Sequence, residues 1–456
     1  MSVATVDPST GTLIEAFEPP GRAELGAAIQ RGHRSFLRWR RLDVGRRCDH
    51  LRELAVVLRA RRVNLSVTMA REMGKPVFQG EAEIDRCAEV CEFYARHAAE
   101  FLASRPVGAG AARSEVVHRP LGLVLGVMPW NEPFWQVFRF AAPALAAGNA
   151  CLLKHASNVP RCALAIERLC AAAGVPEGVF QTLLTGSDAV RGLIEHPLVR
   201  GVTFTGTAAA GSEVAEAAGK AIKPSVLELG GSDPYLILED ADLELAADAC
   251  VTSRLENSGQ SCTAAKRFIV VEPVREAFEA LVVERMRRAR MQPPTQPSCE
   301  LGPLASVAAR DALHDQVRAS VALGASCLLG GYVPRDLPGA YYPPTVLTRV
   351  VAGMPAFSEE LFGPVAAIVP VVDAQEAIEV ANTGSFGLGA AVFTRDVERG
   401  WQIARDELEA GSCFVNDRVR SDPRLPCGGI KDSGYGRELG RQGILAFVNV
   451  KTVYAA

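Results

Sequence analysis

GVTFTGTAAAGSEVAEAAGKAIKPSVLELGG, residues 201–231, carries the pattern that decides the fold. Two short apolar runs, GVTFT (201–205) and SVLEL (225–229), flank a helical window at 211–221, and the first run ends in a glycine turn. Strand, crossover helix and strand form the unit of a parallel sheet, the architecture that binds nucleotides at the carboxyl ends of its strands. The alternation spreads outward from there. Apolar runs recur within 115–127 and in ACLLK, ending at Lys154, and a further helical window covers 163–173. Toward the N-terminus, 24–39, 44–61 and 81–102 space apolar residues by three and four among Arg and Glu, which reads as helices forming a cover rather than a site. Beyond Gly231 a second alternation begins: YLIL, a helix over 243–254, RFIVV (267–271), a helix over 274–290, AAIVPVV (366–372) and a helix over 375–382. The class is α/β with two doubly wound domains, and Gly230-Gly231 is the expected turn between them.

Composition narrows the function classes. The 456 residues carry 49 Lys+Arg against 52 Asp+Glu, a net charge of −3, and 48% are apolar, enough for a large core and too many for disorder. Neither a basic excess nor a Lys/Arg stripe is present, so no nucleic-acid partner is expected. The N-terminus MSVATVDPST lacks the charged and apolar regions of a secretory signal. The longest apolar stretch, 140–153, is broken by Pro143, Gly148 and Asn149 and is shorter than the ~18–20 residues of a membrane span, so no membrane partner is expected either. Twelve cysteines without CxxC or Cys/His ligand spacing point to a reducing cytoplasm and to no metal.

Four short stretches carry chemistry. In VMPWNEPFWQ (127–136) prolines bracket a turn and support Asn131, although such a turn also reads as a simple cap. FTGT (204–207) leads a strand into a helix whose N–H groups suit a phosphate, and alone it is only a strand-to-helix turn. LELGG (227–231) sets Glu228 in an apolar strand, where burial favours the proton-accepting role of a general base; the alternative is a carboxylate satisfied by local amides. NSGQSCTAAKR (257–267) places Cys262 in a glycine-bearing loop, as a nucleophilic thiol requires, although most lone cysteines are inert.

In their order along the chain, PWN (129–131), FTG (204–206), LELGG (227–231), GQSC (259–262), EELFGPV (359–365) and GGIKDSGYGRE (428–438) resemble the NAD(P)-dependent aldehyde dehydrogenase superfamily. LLKHASNVP (152–160), LELGGSDP (227–234) and GQSCTAAKRFIV (259–270) look most like the short bacterial succinate-semialdehyde dehydrogenases. The resemblance implies that Cys262 attacks an aldehyde carbon and that the Asn131 amide and the Cys262 N–H hold the thiohemiacetal oxyanion. Hydride then leaves for the nicotinamide, and Glu228 activates the water that hydrolyses the thioester. It places Trp130, Lys154, Ser157, Gly206, Thr207 and Leu229 around the cofactor, with Glu360 and Phe362 at the nicotinamide ribose and ring. Glu438 matches a second family glutamate, read either as a proton relay or as a salt-bridge partner. Where NAD-preferring members commonly carry glutamate, Ser157 stands here with Lys154 nearby, so NADP is the expected cofactor with NAD as the alternative.

For the substrate, Arg139 matches the arginine that grips a distal carboxylate, and Ser421 lines the same mouth. Glu132, Glu256 and Cys427 depart from the tunnel aromatics common in the family. Either the two glutamates pair with arginines such as Arg254, Arg420 or Arg424, or they receive the cation of an amino- or guanidino-bearing ω-aldehyde. A CoA-acylating relative need not keep Glu228, and an inactive one would lack part of the Cys262, Asn131 and Glu228 set. The implied domains are 1–107 with 122–230 for the dinucleotide and 231–430 for catalysis. Residues 108–121 and 440–456 are the implied oligomerisation elements of a homodimer or homotetramer, with the tail strand adding to a neighbour's sheet.

Overall fold

The computed structural model describes residues 3–110 and 112–456. Met1 and Ser2, at the head of the expected dinucleotide-binding segment, and Ala111, within the expected 108–121 element, lie outside the described residues. The first sheet has six strands in the order Gly434–Tyr435, Ser225–Glu228, Val199–Thr205, Leu123–Met128, Ala150–His155 and Phe180–Thr182. The last five run parallel, in a register that sets Leu125 against both Leu152 and Val202; Gly434–Tyr435 is antiparallel to Ser225–Glu228. Chain order reverses between Leu123–Met128 and Val199–Thr205, and the crevice outside their carboxyl ends is where doubly wound sheets take their ligands.

The second sheet has seven strands, ordered Ser326–Leu329, Thr345–Thr348, Val365–Val371, Ala265–Val271, Asp233–Ile237, Gly389–Phe393 and Ser412–Val415. Its four central strands, Val365–Val371 through Gly389–Phe393, are almost wholly buried, which is why they read as continuous apolar runs instead of alternating ones. Both faces of each sheet are covered by helices, as parallel strands require.

The N-terminal cover is longer than its sequence pattern suggested. The helix expected over 44–61 runs from Val44 to Met73, because Leu65, Met69 and Met73 continue the buried stripe until Gly74 adopts a left-handed conformation (φ 82°) and donates its N–H to Ala70 O. The helix Trp135–Ala147 was not among the expected helices. All thirteen of its residues are buried, and with only Gln136 and Arg139 polar the segment runs on as an apolar stretch.

One expectation about the C-terminal region is corrected. Residues 440–447 are not an oligomerisation element: Leu439, Ile444 and Phe447 are buried, and the helix Gly440–Leu445 packs on Trp135–Ala147 and Val77–Phe101 of the first domain. The chain has already re-entered that domain through Gly434–Tyr435. The tail strand Val448–Ala455 pairs along its whole length with Arg113–Pro120 of its own chain, completing a three-stranded antiparallel sheet with Arg105–Pro106. Val448–Ala455 is the edge strand of that sheet, and its outer side has no strand partner among the described residues. No helix among the described residues is long and apolar enough to cross a membrane.

If residues 440–447 belong to the first core, Ile444→Ala destabilises the folded chain by about 2–5 kcal/mol in denaturant titration. A loss under about 0.5 kcal/mol would return this segment to the surface.

Candidate active site

The loop that carries Cys262 begins where the helix Leu243–Leu255 ends, and it turns through two consecutive non-glycine residues in the left-handed region, Asn257 (φ 53°) and Ser258 (φ 56°). Such a pair is strained and persists only where its surroundings hold it. Here buried hydrogen bonds do so. Asn257 Nδ2 donates to Asn131 O at 2.7 Å and to Gln260 O at 3.0 Å, and Asn257 N donates to Gln79 Oε1 at 2.7 Å. Gln260 Oε1 accepts from Ala305 N at 2.8 Å, and Ser258 Oγ donates to Gly302 O at 3.0 Å. Gly259 follows, pressed so close to the 359–365 segment that a Cβ would lie 2.2 Å from Gly363 O.

Asn131 Nδ2 donates to Gln260 O at 3.2 Å, so the Pro-Trp-Asn turn and the nucleophile loop are tied together while the second amide hydrogen of Asn131 stays free of that contact. The turn is braced from behind. Glu83, on the cover helix Val77–Phe101, accepts from Phe134 N at 2.8 Å and Trp135 N at 2.9 Å, capping the helix Trp135–Ala147, and pairs with the equally buried Lys75. His155, at the end of its strand, bonds through Nε2 to Pro133 O at 2.8 Å and accepts Ala156 N at Nδ1. Burial pushes its pKa down to about 4, so the brace is a neutral imidazole.

Glu228 closes the opposite side, at the end of Ser225–Glu228, three residues before a glycine whose Cβ would lie 2.8 Å from Cys262 O. Burial pushes its carboxyl up to about 8; Arg139 opposes the rise and Glu438 adds to it. Among the described residues Glu228 Oε1 has no hydrogen-bond partner, which leaves it ready to take a proton. Burial also raises the Cys262 thiol, with Arg139 and Lys266 pulling toward the thiolate.

The remaining expected residues distribute as follows. Trp130 and Phe362 meet edge to face, centroids 5.7 Å apart. Gly206 donates its N–H to Glu228 O at 3.0 Å, Thr207 caps the helix Ala208–Lys220 through Ala210 N, and Leu229 is buried beside Glu228. Lys154 is the penultimate residue of its strand; burial lowers its pKa, opposed by Asp188, and Ser157 follows three residues on. Glu360 Oε1 lies 3.1 Å from Lys266 Nζ and accepts Gly231 N at 3.2 Å. All sit at the carboxyl edge of the first sheet or in the loops facing it.

Arg139 departs from its expected place. It is 2% exposed, lies 2.7 Å from Glu438 Oε2 and 3.8 Å from Glu228 Oε2, and lines neither cavity of the mouth. Burial works against its charge, but Glu438, Cys427 and Glu228 outweigh this and keep it cationic. Glu438 is therefore a salt-bridge partner, also accepting Thr203 Oγ1 at 3.2 Å. The two glutamates of the mouth are ion-paired, although not to the arginines anticipated: Glu132 pairs with Arg86 and Glu256 with Arg418, each at 2.6 Å. Arg254 is instead buried and donates to Gly259 O, Arg420 holds Asp417, and Arg424 holds Asp422. Glu132, Glu256 and Ser421 line a cavity of about 660 Å³ beside Ser261 and Thr263. Cys427 lines an adjoining one of about 300 Å³, and its Sγ is 3.7 Å from Ser421 Oγ.

Sequence reading missed Asn257, Gln260, Lys266, Glu83 and His155. The first three lie within the NSGQSCTAAKR block, and their signal was a run of polar side chains around a lone thiol; the structure shows all three to be buried.

The description "Aldehyde dehydrogenase family" fits a family model matching residues 1–453. The chain is 46% identical over 456 residues to a probable succinate-semialdehyde dehydrogenase (NADP+) of Synechocystis sp., covering 100% of both chains. It is 45% identical over 458 residues to a succinate-semialdehyde dehydrogenase (NADP+) of Mycolicibacterium paratuberculosis, covering 100% of this chain and 97% of that one. Succinic semialdehyde dehydrogenase from Streptococcus pyogenes, solved with NADP+, superposes with a TM-score of 0.96 at 36% identity over 99% of both chains.

A base with its pKa near 8 acts as the carboxylate, so any step in which Glu228 takes a proton from water accelerates about tenfold per unit of rising pH below 8 and levels above it. Stopped-flow and steady-state rates across pH 6–10 (a span of about four units) check this. A slow step independent of pH across that span would remove Glu228 from the role.

Proposed function

The chain belongs to the aldehyde dehydrogenase family, and on that premise we propose that it oxidises succinate semialdehyde, or a close carboxylate-bearing aldehyde, to the acid with NADP. The observation that carries this reading is the convergence of the Cys262 loop, the Asn131 amide and the buried Glu228 carboxylate on one crevice. Cys262 adds to the aldehyde carbon as thiolate. Asn131 Nδ2 and the Cys262 N–H receive the oxyanion. Bound in the crevice, the nicotinamide supplies the acceptor for the hydride. Glu228 then takes a proton from water as the hydroxyl adds to the thioester carbon, and the cysteine leaves as thiolate, which frees the acid.

The cofactor fits the donors present. Lys154 is a cation that burial makes less favourable, and a phosphate beside it and the Ser157 hydroxyl answers that cost. Trp130 and Phe362 would border the nicotinamide, and the N-terminus of Ala208–Lys220 would face the pyrophosphate.

The pairing of charges at the mouth argues against a cationic substrate. Five arginines and three glutamates line the larger cavity, and Glu132 and Glu256 are already neutralised by Arg86 and Arg418. That leaves no unpaired anion at those positions for an amino or guanidino group, while the arginines of the cavity are each paired with a carboxylate as well. Arg420 and Ser421, in place of Arg139, are the groups we assign to the distal carboxylate. Retention of Glu228 argues against a CoA-dependent release. A homodimer or homotetramer formed through the outer edge of Val448–Ala455, where Val450 and Tyr454 are exposed, and a cytoplasmic location, suggested by twelve unpaired cysteines, complete the reading.

A panel of succinate semialdehyde, amino-aldehydes and plain aliphatic aldehydes with both cofactors tests it. kcat/KM is expected to be highest for succinate semialdehyde with NADP, and a preference for amino-aldehydes would overturn the substrate assignment. Ser157→Glu is expected to lower kcat/KM for NADP about 10²-fold by setting a carboxylate against the 2′-phosphate. An unchanged value would place that phosphate elsewhere.

A further inference from the structure

Lys266 sits directly beneath the nucleophile, and the reaction described above makes no use of it. Its side chain, on the strand Ala265–Val271, is 1% exposed. An ammonium buried to that degree is costly unless its hydrogens and its charge are matched. Here the match is complete. Nζ donates to Ser261 O at 2.9 Å and to Cys262 O at 2.7 Å, and lies 3.1 Å from Glu360 Oε1. An ammonium has three hydrogens, and three acceptors surround this one.

The Ser261 carbonyl and the Cys262 N–H are opposite ends of one peptide unit. No cis peptide occurs among the described residues, so the two point in opposite directions. Drawing Ser261 O toward Nζ turns the Cys262 N–H to the far side. The positive charge also polarises that amide, and a polarised amide is the stronger donor. Glu360 is fixed by the same cation, with Gly231 N on the same carboxylate oxygen.

We infer that Lys266 is a positioning residue that aims the Cys262 N–H at the substrate oxyanion and holds Glu360 for the nicotinamide ribose, so that one buried cation aligns two working parts. The inference rests on the roles proposed above for Cys262 and Glu360. It gains support from the charge of Lys266, which joins Arg139 in drawing the Cys262 thiol toward thiolate against the effect of burial.

The test compares wild type with Lys266→Met, Lys266→Arg and a Cys262→Ser control. Three quantities are read: the melting temperature, kcat with KM for NADP, and the pH profile of Cys262 alkylation by iodoacetamide. Lys266→Met is expected to lower kcat about 10²-fold, to raise KM for NADP, and to move the alkylation midpoint to higher pH. Lys266→Arg, which keeps the charge, is expected to recover part of the alkylation shift. If Lys266→Met does not fold, Lys266→Gln, which retains donors and removes the charge, is judged by the same profile. An alkylation profile overlaying that of wild type, with kcat falling only as the folded fraction falls, would reduce Lys266 to a structural cap and overturn the inference. Turnover surviving in Cys262→Ser would instead overturn the reading on which it rests.

Discussion

The left-handed kink at Asn257-Ser258 is the constraint on which the site depends. It turns the chain between the helix Leu243–Leu255 and the strand Ala265–Val271, and so it presents Cys262 at the crevice between the two sheets. Left alone, two such residues relax. They stay because the Asn257 amide bonds to Asn131 O in one domain and Gln260 O in the other, while Asn131 returns a bond to Gln260 O. The groups expected to hold an oxyanion are thus part of the lock that holds the nucleophile.

Electrostatics around this lock is arranged in matched buried pairs. Arg139 lies between Glu228 and Glu438, Lys266 beneath Cys262 beside Glu360, and Lys75 against Glu83 behind the Pro-Trp-Asn turn. Buried pairs of this kind add little net stability, yet removing one member leaves an uncompensated charge. Their physical effect here is to fix orientation and to divide the titrations. Burial lifts the Glu228 pKa into the working range, and Arg139, shared with Glu438, offsets that rise only in part. The mouth follows the same rule, with Arg86 and Arg418 absorbing glutamates that stand where the family commonly has aromatics.

Much of this was legible in the sequence because the signals were local. The 201–231 unit sits in the structure as strand, crossover helix and strand, with the turns at Gly206 and Gly230 falling at the carboxyl edge. Trp135–Ala147 was not read as a helix because, apart from Gln136 and Arg139, it is apolar and merges into the stretch that continues to Leu153. Residues 440–447 were misplaced because nothing local shows that Ile444 and Phe447 pack on helices and strands some three hundred positions earlier. Arg139 looked like a substrate clamp because sequence alone does not place Glu438 beside it. Its partner lies 299 residues away, and a charge acquires its meaning from such distant neighbours.

The most direct measurement of the account is covalent trapping. Glu228→Gln, which keeps the side-chain shape and removes the base, is mixed with succinate semialdehyde and NADP, quenched in acid and digested. The account predicts one stoichiometric burst of reduced cofactor and an acyl group on the peptide containing Cys262. A burst with no adduct there, or an adduct on another cysteine such as Cys427, would contradict it.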